Sequence, residues 1–236
     1  MVKLSNRLLS VASFVTEGNV LADVGTDHGY IPIYLMQEGR IERAIAMDIN
    51  AGPLERAKEH ITQYGLETYI ETRLSDGVAA LTPGEADSIL IAGMGGGLVL
   101  HILEEGETVC RQAKELILQP QSEIERVRVW LYNAGYVILE ENIVFEDEKF
   151  YPMMRVQYQG IKDEKSAENT LFCRYGSQLL KMAHPVLKQY LEREARQYSY
   201  IYEEMKQAPP LSEKVKTRME EVEDLLHLNG EALKFF

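Results

Sequence analysis

The sequence predicts an α/β fold in which a parallel sheet is completed by an antiparallel hairpin and followed by a pair of helices. Apolar, β-rich runs alternate with helical patterns from residue 20 to about residue 120. Two strand patterns then follow with only four residues between them, and helix-forming residues dominate after about residue 160. Strands that are apolar along their whole length are typical of a parallel sheet covered by helices on both faces.

Five strands are predicted in the alternating part of the chain, at residues 20–24, 44–48, 69–74, 88–92 and 115–119. The helices predicted between them cover residues 30–38, 52–64, 97–105 and 123–134. The next two strands, 137–146 and 151–159, are too close in sequence to be joined by a crossover helix, so they form an antiparallel hairpin. Five parallel strands closed by a hairpin fit the seven-stranded, Rossmann-like sheet of class I methyltransferases better than a standard dinucleotide-binding fold.

The last third of the sequence predicts a C-terminal helical hairpin, with a domain boundary near residue 160 that separates domains 1–160 and 161–236. A first helix, over about residues 167–207, has an apolar stripe with one polar interruption at Glu194. The segment Ala208-Pro209-Pro210 must end this helix, because proline lacks the amide hydrogen that a helix interior needs. Ser212 can cap a second helix that stops before Gly230, and two such amphipathic helices should pack as an antiparallel pair.

Charge and cysteine content limit the classes of partner. The chain has 236 residues and a formal net charge of −12, which as a whole disfavours nucleic acid. Residues 161–236, however, carry 12 Lys+Arg against 13 Asp+Glu, whereas residues 1–160 carry 13 against 24. The local basic stripe that a polyanion would need is therefore expected in the C-terminal part and not in the first part. Cys110 and Cys173 stand alone, and no run of 18 apolar residues occurs. We therefore expect no metal, no membrane contact and a reducing cytoplasm; the oligomeric state stays open, with a monomer among the options.

The loop after the first predicted strand carries the main evidence for a cofactor. It reads D-x-G-x-D-x-G, from Asp23 to Gly29, and leads directly into a helix. Gly25 and Gly29 let the backbone approach a ligand closely, and amides at the start of a helix can meet a carboxylate. Asp23 and Asp27 would repel the pyrophosphate of a nicotinamide dinucleotide but suit the ammonium and sulfonium groups of S-adenosylmethionine. A plain strand-to-helix turn with a capping aspartate is the alternative.

Two further acids follow at the ends of the second and third predicted strands. Asp48 comes 25 residues after Asp23, where a carboxylate can accept hydrogen bonds from both ribose hydroxyls. Asp76, in the segment Ser75-Asp76-Gly77, can accept a hydrogen bond from the adenine amino group. The alternatives are helix capping for Asp48 and a plain turn for Asp76. All three acids are expected at the carboxyl ends of parallel strands, where open α/β sheets bind ligands.

The fourth strand ends in Gly93-Met94-Gly95-Gly96-Gly97, with four glycines in five positions. Glycine loses more conformational freedom on folding than any other residue, so such a run indicates close approach of the backbone to a ligand. We expect the glycines to form a shelf on which a flat base lies close to the sulfonium. The segment lacks the (Asp/Asn)-Pro-Pro-aromatic sequence common in enzymes that methylate exocyclic nitrogens, which disfavours N6 of adenine as the target. A flexible loop without substrate contact is the alternative.

Together these segments resemble the bacterial TrmK family over essentially the whole chain. The segments that carry the resemblance are N-R-L at 6–8, A-D-V-G-T-D-H-G-Y-I-P at 22–32, M-D-I-N-A-G-P-L at 47–54, R-L-S-D-G at 73–77, I-A-G-M-G-G at 91–96 and L-I-L-Q-P at 116–120. Members of that family are tRNA methyltransferases that act on N1 of adenine 22. The resemblance implies that S-adenosylmethionine is held by Asp23, Gly25, Asp48 and Asp76. It also implies that the reacting base is surrounded by Arg7, Asp27, His28, Tyr30 and residues 93–96.

Motifs and resemblance together predict three groups of site residues. The predicted catalytic residues are Arg7, Asp27, His28 and Tyr30. The predicted cofactor-binding residues are Asp23, Gly25, Thr26, Gly29, Asp48, Ile49, Ser75, Asp76, Gly77, Gly93 and Met94. The predicted substrate-binding residues, which would contact tRNA, are Gly95, Gly96, Lys181, Lys188, Arg193 and Arg196. Competing hypotheses are a methyltransferase for another RNA site or a small molecule, a non-catalytic cofactor-binding adaptor, and a nicotinamide dehydrogenase.

The chemistry of adenine limits what the catalytic residues need to do. Its N1 lone pair is free at neutral pH, so no general base is required before attack, and alignment of N1 behind the methyl carbon should supply most of the rate. Asp27 is expected to stabilise the positive product ring or to accept a proton later. His28 serves either acid–base chemistry or structure, Tyr30 either stacks on an exposed base or belongs to the core, and Arg7 contacts phosphate or orients the loop.

Overall fold

The computed structural model describes residues 2–207 and 213–236, and the chain divides into two compact units, Met1–Glu168 and Asn169–Phe236. The division falls after residue 168 rather than near residue 160. The backbone amide of Asp163 donates to the carbonyl oxygen of Tyr132 at 3.1 Å, and the short helix Glu164–Glu168 packs against the helix that contains Tyr132. These contacts keep the segment after residue 160 in the first unit.

Within the described residues, the first unit contains a seven-stranded sheet in the order β3-β2-β1-β4-β5-β7-β6. The strands are β1 Leu21–Val24, β2 Ala44–Asp48, β3 Ile70–Leu74, β4 Ser88–Met94, β5 Glu115–Pro120, β6 Tyr136–Glu146 and β7 Lys149–Tyr158. The first five are parallel, and β7 is antiparallel to both β5 and β6. The predicted fold class, with its parallel core and closing hairpin, is confirmed.

Seven helices of the first unit are described: α1 Asn6–Ser13, α2 Tyr30–Gln37, α3 Ala51–Gln63, α4 Gly96–Glu105, α5 Glu107–Gln112, α6 Ile124–Ala134 and α7 Glu164–Glu168. The sequence analysis did not predict α1, α5 or α7. Ser5 caps α1 through its hydroxyl, and Val11 and Ala12 bury the apolar face of this helix. Residues of β1, β2 and β4 have no exposed surface at Leu21, Ile45 and Leu90, as expected for strands covered on both faces.

The second unit is helical, with α8 Thr170–Tyr175, α9 Ser177–Lys181, α10 Pro185–Gln207 and α11 Glu213–Leu233. The prediction of one helix over 167–207 is wrong, because Gly176 has a φ of +91° and Ala183 a φ of +48°, and Pro185 starts α10. The predicted end before Gly230 is also wrong, since α11 continues to Leu233. The breaker Ala208-Pro209-Pro210 and the cap Ser212 lie outside the described residues. None of the described helices is long and apolar enough to cross a membrane.

Candidate functional site

The carboxyl ends of β1, β2 and β4 lie side by side, because Asp23 pairs with Ala46 of β2 and with Leu90 of β4 in the parallel register. A cavity of about 420 Å³, here called the strand-tip cavity, opens at this edge of the sheet. It brings together nine predicted site residues: Arg7, Asp23, Gly25, Thr26, Asp27, His28, Gly29, Tyr30 and Gly93. Its lining also includes Leu8, Ile31, Ala92 and Gln121.

The loop between β1 and α2 is fixed to β2 by two hydrogen bonds. The backbone amides of Gly25 and Thr26 both donate to the carbonyl oxygen of Met47, at 2.8 Å. Gly25 has a φ of +76°, and a Cβ at this position would lie 2.2 Å from Cε of Met94, so a larger residue is strained and displaces that side chain. Gly29, with a φ of +68°, is the N-cap of α2. The turn therefore needs glycine at both positions for backbone reasons, whatever ligand it meets.

Asp23 is the buried acid of the strand-tip cavity. Burial raises the pKa of its carboxyl group to about 6, with a smaller contribution from the carboxylate of Asp48. The hydroxyl of Thr26 is also buried, and its interaction with this carboxyl group lowers the pKa in part. A buried acid that has no basic partner among the described residues leaves hydrogen-bonding capacity for a ligand. The residues present therefore fit the ammonium end of S-adenosylmethionine.

Asp48 and Ile49 lie at the tip of β2, outside the lining of the strand-tip cavity. The backbone amide of Asn50 donates to Oδ1 of Asp48 at 2.8 Å, which fixes the carboxylate. Asn50, and not Asp48, is the N-cap of α3, so the capping alternative for Asp48 does not describe this turn. Ile49 is 58% exposed. A fixed carboxylate beside an exposed aliphatic side chain suits a nucleoside, which has hydroxyl groups and a flat apolar face.

The turn after β3 contributes one exposed acid. The Ser75 hydroxyl donates to the carbonyl oxygen of Gly77 at 2.9 Å and accepts from the amide of Ala80 at 3.1 Å, so this buried side chain holds the turn. Gly77 packs on α4, where a Cβ would lie 3.0 Å from Ile102. Asp76 is exposed and, with Gly77, lines a second cavity of about 240 Å³. Asp76 is thus open to a ligand, whereas Ser75 and Gly77 shape the backbone around it.

Asp27 belongs to a cluster of charged and aromatic side chains along the strand-tip cavity. Its Oδ1 accepts a hydrogen bond from Arg56 at 2.5 Å, and its Oδ2 lies 3.3 Å from Nε2 of His28. The hydrogen bond from Arg56 lowers the pKa of the Asp27 carboxyl, which therefore stays ionised at neutral pH. The rings of His28 and Tyr30 stack with centres 5.0 Å apart, and the ring of His60 lies 5.0 Å from that of Tyr30.

Contacts with β5 and the β6–β7 hairpin place Arg7 at the cavity. Glu146 accepts hydrogen bonds from the backbone amides of Asn6, at 2.8 Å, and Arg7, at 3.4 Å. Nη1 of Arg7 donates to Oε1 of the buried Gln119 at 2.9 Å. The guanidinium group also lies 5.4 Å from the centre of the Tyr151 ring. Arg7 is therefore held in one orientation by groups from three separate segments.

The glycines after β4 lie in two different environments. Gly93 has a φ of +79° and lines the strand-tip cavity. Gly95, Gly96 and Gly97 instead pack against the loop between β5 and α6: the amide of Gly96 donates to the carbonyl oxygen of Ser122 at 3.1 Å, and a Cβ on Gly96 would lie 2.4 Å from that oxygen. The predicted substrate residues Gly95 and Gly96 are thus not among those lining the cavity. Of the glycines in this run, only Gly93 is in the described lining of the cavity.

The remaining predicted substrate residues lie in the second unit. Lys181 ends α9, whereas Lys188, Arg193 and Arg196 are on α10, and all four side chains are exposed. Among the described residues, no group of three or more His, Cys, Asp or Glu side chains is arranged to hold a metal ion. Both cysteines are buried, and neither is in a disulfide.

Sequence reasoning missed several residues of the site. Arg56 and His60 are one turn apart on α3, and this i, i+4 spacing after Asp48 was the available signal. Gln119 lies within the L-I-L-Q-P segment but was not given a role, and nothing in the sequence pattern singles out Gln121 or Tyr151. Their contribution depends on the distant segments that meet at the sheet edge.

Comparison with known proteins agrees with this geometry. The family model described as "TrmK: tRNA (adenine(22)-N(1))-methyltransferase" matches residues 21–231. The tRNA (adenine(22)-N(1))-methyltransferase of Bacillus subtilis is 36% identical over 234 residues, which cover 98% of each chain.

Solved structures of related proteins also match this chain over almost its whole length. The Streptococcus pneumoniae protein Sp1610, a putative tRNA (m1A22) methyltransferase solved with S-adenosyl-L-methionine, is 34% identical, with a TM-score of 0.85 over 98% of this chain and 100% of that one. M. capricolum TrmK, solved with S-adenosyl-homocysteine, is 26% identical, with a TM-score of 0.83 over 98% of both chains. The resemblance found in the sequence motifs is thereby confirmed, and the chain belongs to the TrmK family of tRNA (adenine(22)-N(1))-methyltransferases.

Proposed function

We propose that this chain transfers a methyl group from S-adenosylmethionine to N1 of adenine 22 in tRNA. The observation that carries the proposal is the buried acid Asp23 in a cavity that reaches the glycine tip of β4, in a member of the TrmK family. An adaptor that only bound the cofactor would not need open space in front of Gly93. A nicotinamide cofactor would bring its pyrophosphate against Asp23 and Asp27, at an energetic cost.

The acids at the strand tips are proposed to hold the cofactor from end to end. S-adenosylmethionine, when bound, supplies an electrophilic methyl group on a sulfonium centre. Asp23 accepts hydrogen bonds from the ammonium group, Asp48 from the ribose hydroxyls and Asp76 from the adenine amino group. Ile49 packs against the adenine face, and Gly25 keeps the loop close to β2. Each acid lies at or just after the carboxyl end of a different parallel strand, which matches the extended shape of the cofactor.

The chain has to orient the target base but does not have to deprotonate it. N1 of adenine has a free lone pair, so methyl transfer removes no proton beforehand. Asp27 stays ionised because Arg56 lowers its pKa, which suits it to stabilise the positive charge that the ring gains and makes it a poor proton acceptor. The stacked rings of His28 and Tyr30 offer an aromatic surface for a base that has left the tRNA stack.

Nucleoside mapping tests the function directly. The full chain is incubated with unmodified tRNA and methyl-labelled S-adenosylmethionine, and the tRNA is digested to nucleosides. We expect 1-methyladenosine from tRNA with adenosine at position 22 and none from the same tRNA with guanosine there. Transfer to free adenosine, or to unfolded fragments at an equal rate, would instead support the small-molecule alternative. Label elsewhere in the tRNA would support another RNA site.

The basic residues of α10 are proposed to contact the tRNA backbone. Lys188 and Arg196 are exposed and lie eight residues apart on this helix. Replacing both with glutamine should weaken tRNA binding about tenfold near 0.1 M salt, and should reduce the slope of log K against log salt by about 2, because each lost cation releases one counterion fewer. Binding of labelled tRNA at several salt concentrations measures both effects.

A matched pair of substitutions controls for net charge. Arg43 and Lys114 precede β2 and β5, at the edge of the sheet opposite the strand-tip cavity, and both are exposed. Replacing them with glutamine removes the same charge and should leave the salt slope unchanged. Equal losses in the two double variants would contradict a specific contact by α10.

A further inference from the structure

Gln121 lies where the target base is expected, but neither the sequence motifs nor the proposed binding of the cofactor assigns it a role. Its backbone amide donates to the carbonyl oxygen of Met94 at 2.8 Å, which joins the ends of β5 and β4. Its side chain lines the strand-tip cavity. A Cβ on Gly93 would lie 3.8 Å from Nε2 of Gln121 and 3.8 Å from Nη1 of Arg7, so these two side chains flank the bare backbone of Gly93.

The reaction restricts which edge of adenine the protein can read. N1 must face the methyl group, so N1 itself is not available to a side chain before transfer. The atoms that remain on the neighbouring edge are N7, which accepts a hydrogen bond, and the N6 amino group, which donates one. A side-chain amide carries a donor and an acceptor side by side and matches this pair with two hydrogen bonds.

The arginine and carboxylate side chains of the cavity do not match that edge. The Arg7 guanidinium group only donates, and it already donates to Gln119. The carboxylates of Asp23 and Asp27 only accept, and Asp27 is paired with Arg56. Gln121 provides the one side-chain amide in the described lining.

We infer that Gln121 holds the target adenine by donating from Nε2 to N7 and accepting from N6 at Oε1. The inference rests on the proposed function, and it assigns recognition of the target base to Gln121. Guanine presents two acceptors, O6 and N7, on the same edge, so the amide can satisfy only one of them. Adenine held in this way keeps its N1 directed away from Gln121, toward the donor.

An atomic substitution in the RNA tests the contact. Guanosine at position 22 is a poor probe, because its N1 carries a proton and lacks the free lone pair. 7-Deazaadenosine keeps N1 and N6 and removes only N7. With the full chain and tRNA that carries 7-deazaadenosine at position 22, kcat/KM for methyl transfer should fall about tenfold relative to adenosine, the effect of one lost hydrogen bond.

Variants of Gln121 separate this contact from other effects of the RNA change. Gln121→Ala loses both hydrogen bonds, so it should be at least tenfold slower on adenosine and should show no further loss on 7-deazaadenosine. Gln121→Glu should prefer 7-deazaadenosine, because its carboxylate repels the N7 lone pair. Gln63→Ala, at an exposed position that ends α3, should keep the wild-type rate and the full tenfold difference. Binding of S-adenosylmethionine, measured by calorimetry, should match in all four proteins.

Two results would overturn the inference alone: an undiminished penalty from 7-deazaadenosine in Gln121→Ala, or equal rates on both tRNAs with the wild-type chain. A wild-type chain that fails to methylate tRNA with adenosine at position 22 would overturn the proposed function instead, and the base-recognition role with it. The two failures are therefore distinguishable in one set of measurements.

Discussion

Replacing Asp23 with asparagine should make the ligand-free protein more stable at pH 8 while lowering its affinity for S-adenosylmethionine about 100-fold. Burial raises the pKa of this carboxyl from 3.8 to about 6. A group whose pKa is higher in the folded chain stabilises folding below its unfolded pKa, and this contribution is lost as the pH rises through 6. At pH 8 the ionised Asp23 therefore destabilises the folded chain by about 3 kcal/mol, the equivalent of about two pKa units.

Asparagine removes that ionisation but also removes the charge that attracts an ammonium group. Loss of one partner from a buried charge pair costs about 2–5 kcal/mol, which gives the expected 100-fold fall in affinity. The wild-type affinity should itself rise as the pH increases through 6, because the ionised carboxylate binds the cofactor. The asparagine variant should lack this rise, so the same residue that weakens the empty protein strengthens the complex.

Thermal unfolding and calorimetry measure the two effects. At pH 8 the melting temperature of the asparagine variant should exceed that of the wild type by about 6–12 °C, and the two should converge near pH 4. Trp130, the single tryptophan of the chain, lies in the same unit and reports its unfolding. Asp147→Asn at the exposed hairpin turn is the control and should change neither quantity. A variant that is less stable at pH 8, or binds the cofactor normally, would contradict this role for Asp23.

The sheet was predictable because its strands are buried on both faces. Leu21, Ile45 and Leu90 belong to continuous apolar runs, and such runs contrast with the 3.6-residue periodicity of the helices between them. Asp23 and Asp48 close two of these runs, so their convergence followed from the fold alone. The hairpin was predictable from the few residues between β6 and β7, which no crossover helix can fit.

The surroundings of the cavity were less predictable, because they depend on contacts between distant segments. Gly95 and Gly96 were expected to support the substrate, but Gly96 is glycine because the backbone of Ser122 leaves no room for a Cβ. The ion pair between Asp27 and Arg56 joins a loop to a helix that starts after the next strand. A single sequence contains the residue types of such contacts but not their distances.

Replacing Glu194 with glutamine should destabilise the second unit by about 3 kcal/mol, the effect of breaking a buried ion pair. In the sequence this residue is a polar interruption of an apolar stripe; in the structure it is buried and accepts hydrogen bonds from five side chains: Arg174, Tyr175, Tyr190, Tyr198 and Asn229. Burial opposes its ionised form, but the hydrogen bonds from Tyr175 and Asn229 and the charge of Arg174 outweigh burial and lower its pKa.

The pH dependence follows from that lowered pKa. Ionised Glu194 stabilises the folded unit fully above the ordinary pKa of 4.5, and the contribution is lost as the pH falls through the lower folded value. The difference between wild type and Glu194→Gln should therefore be constant from pH 5 to 8 and shrink below about pH 4. Glutamine cannot replace the stabilisation by ionised Glu194 at any pH, because its amide group would face hydrogen-bond donors that need an acceptor oxygen.

Hydrogen exchange of the amides in α8 to α11 is the appropriate measurement, because tryptophan fluorescence reports the other unit. Glu192→Gln, at an exposed position two residues earlier on α10, is the matched control and should leave exchange unchanged. Equal protection in Glu194→Gln and wild type at pH 7 would show that the five donors find other partners. If protection falls as expected, a polar residue fixes how α8, α10 and α11 pack, since Arg174, Glu194 and Asn229 lie one on each of them.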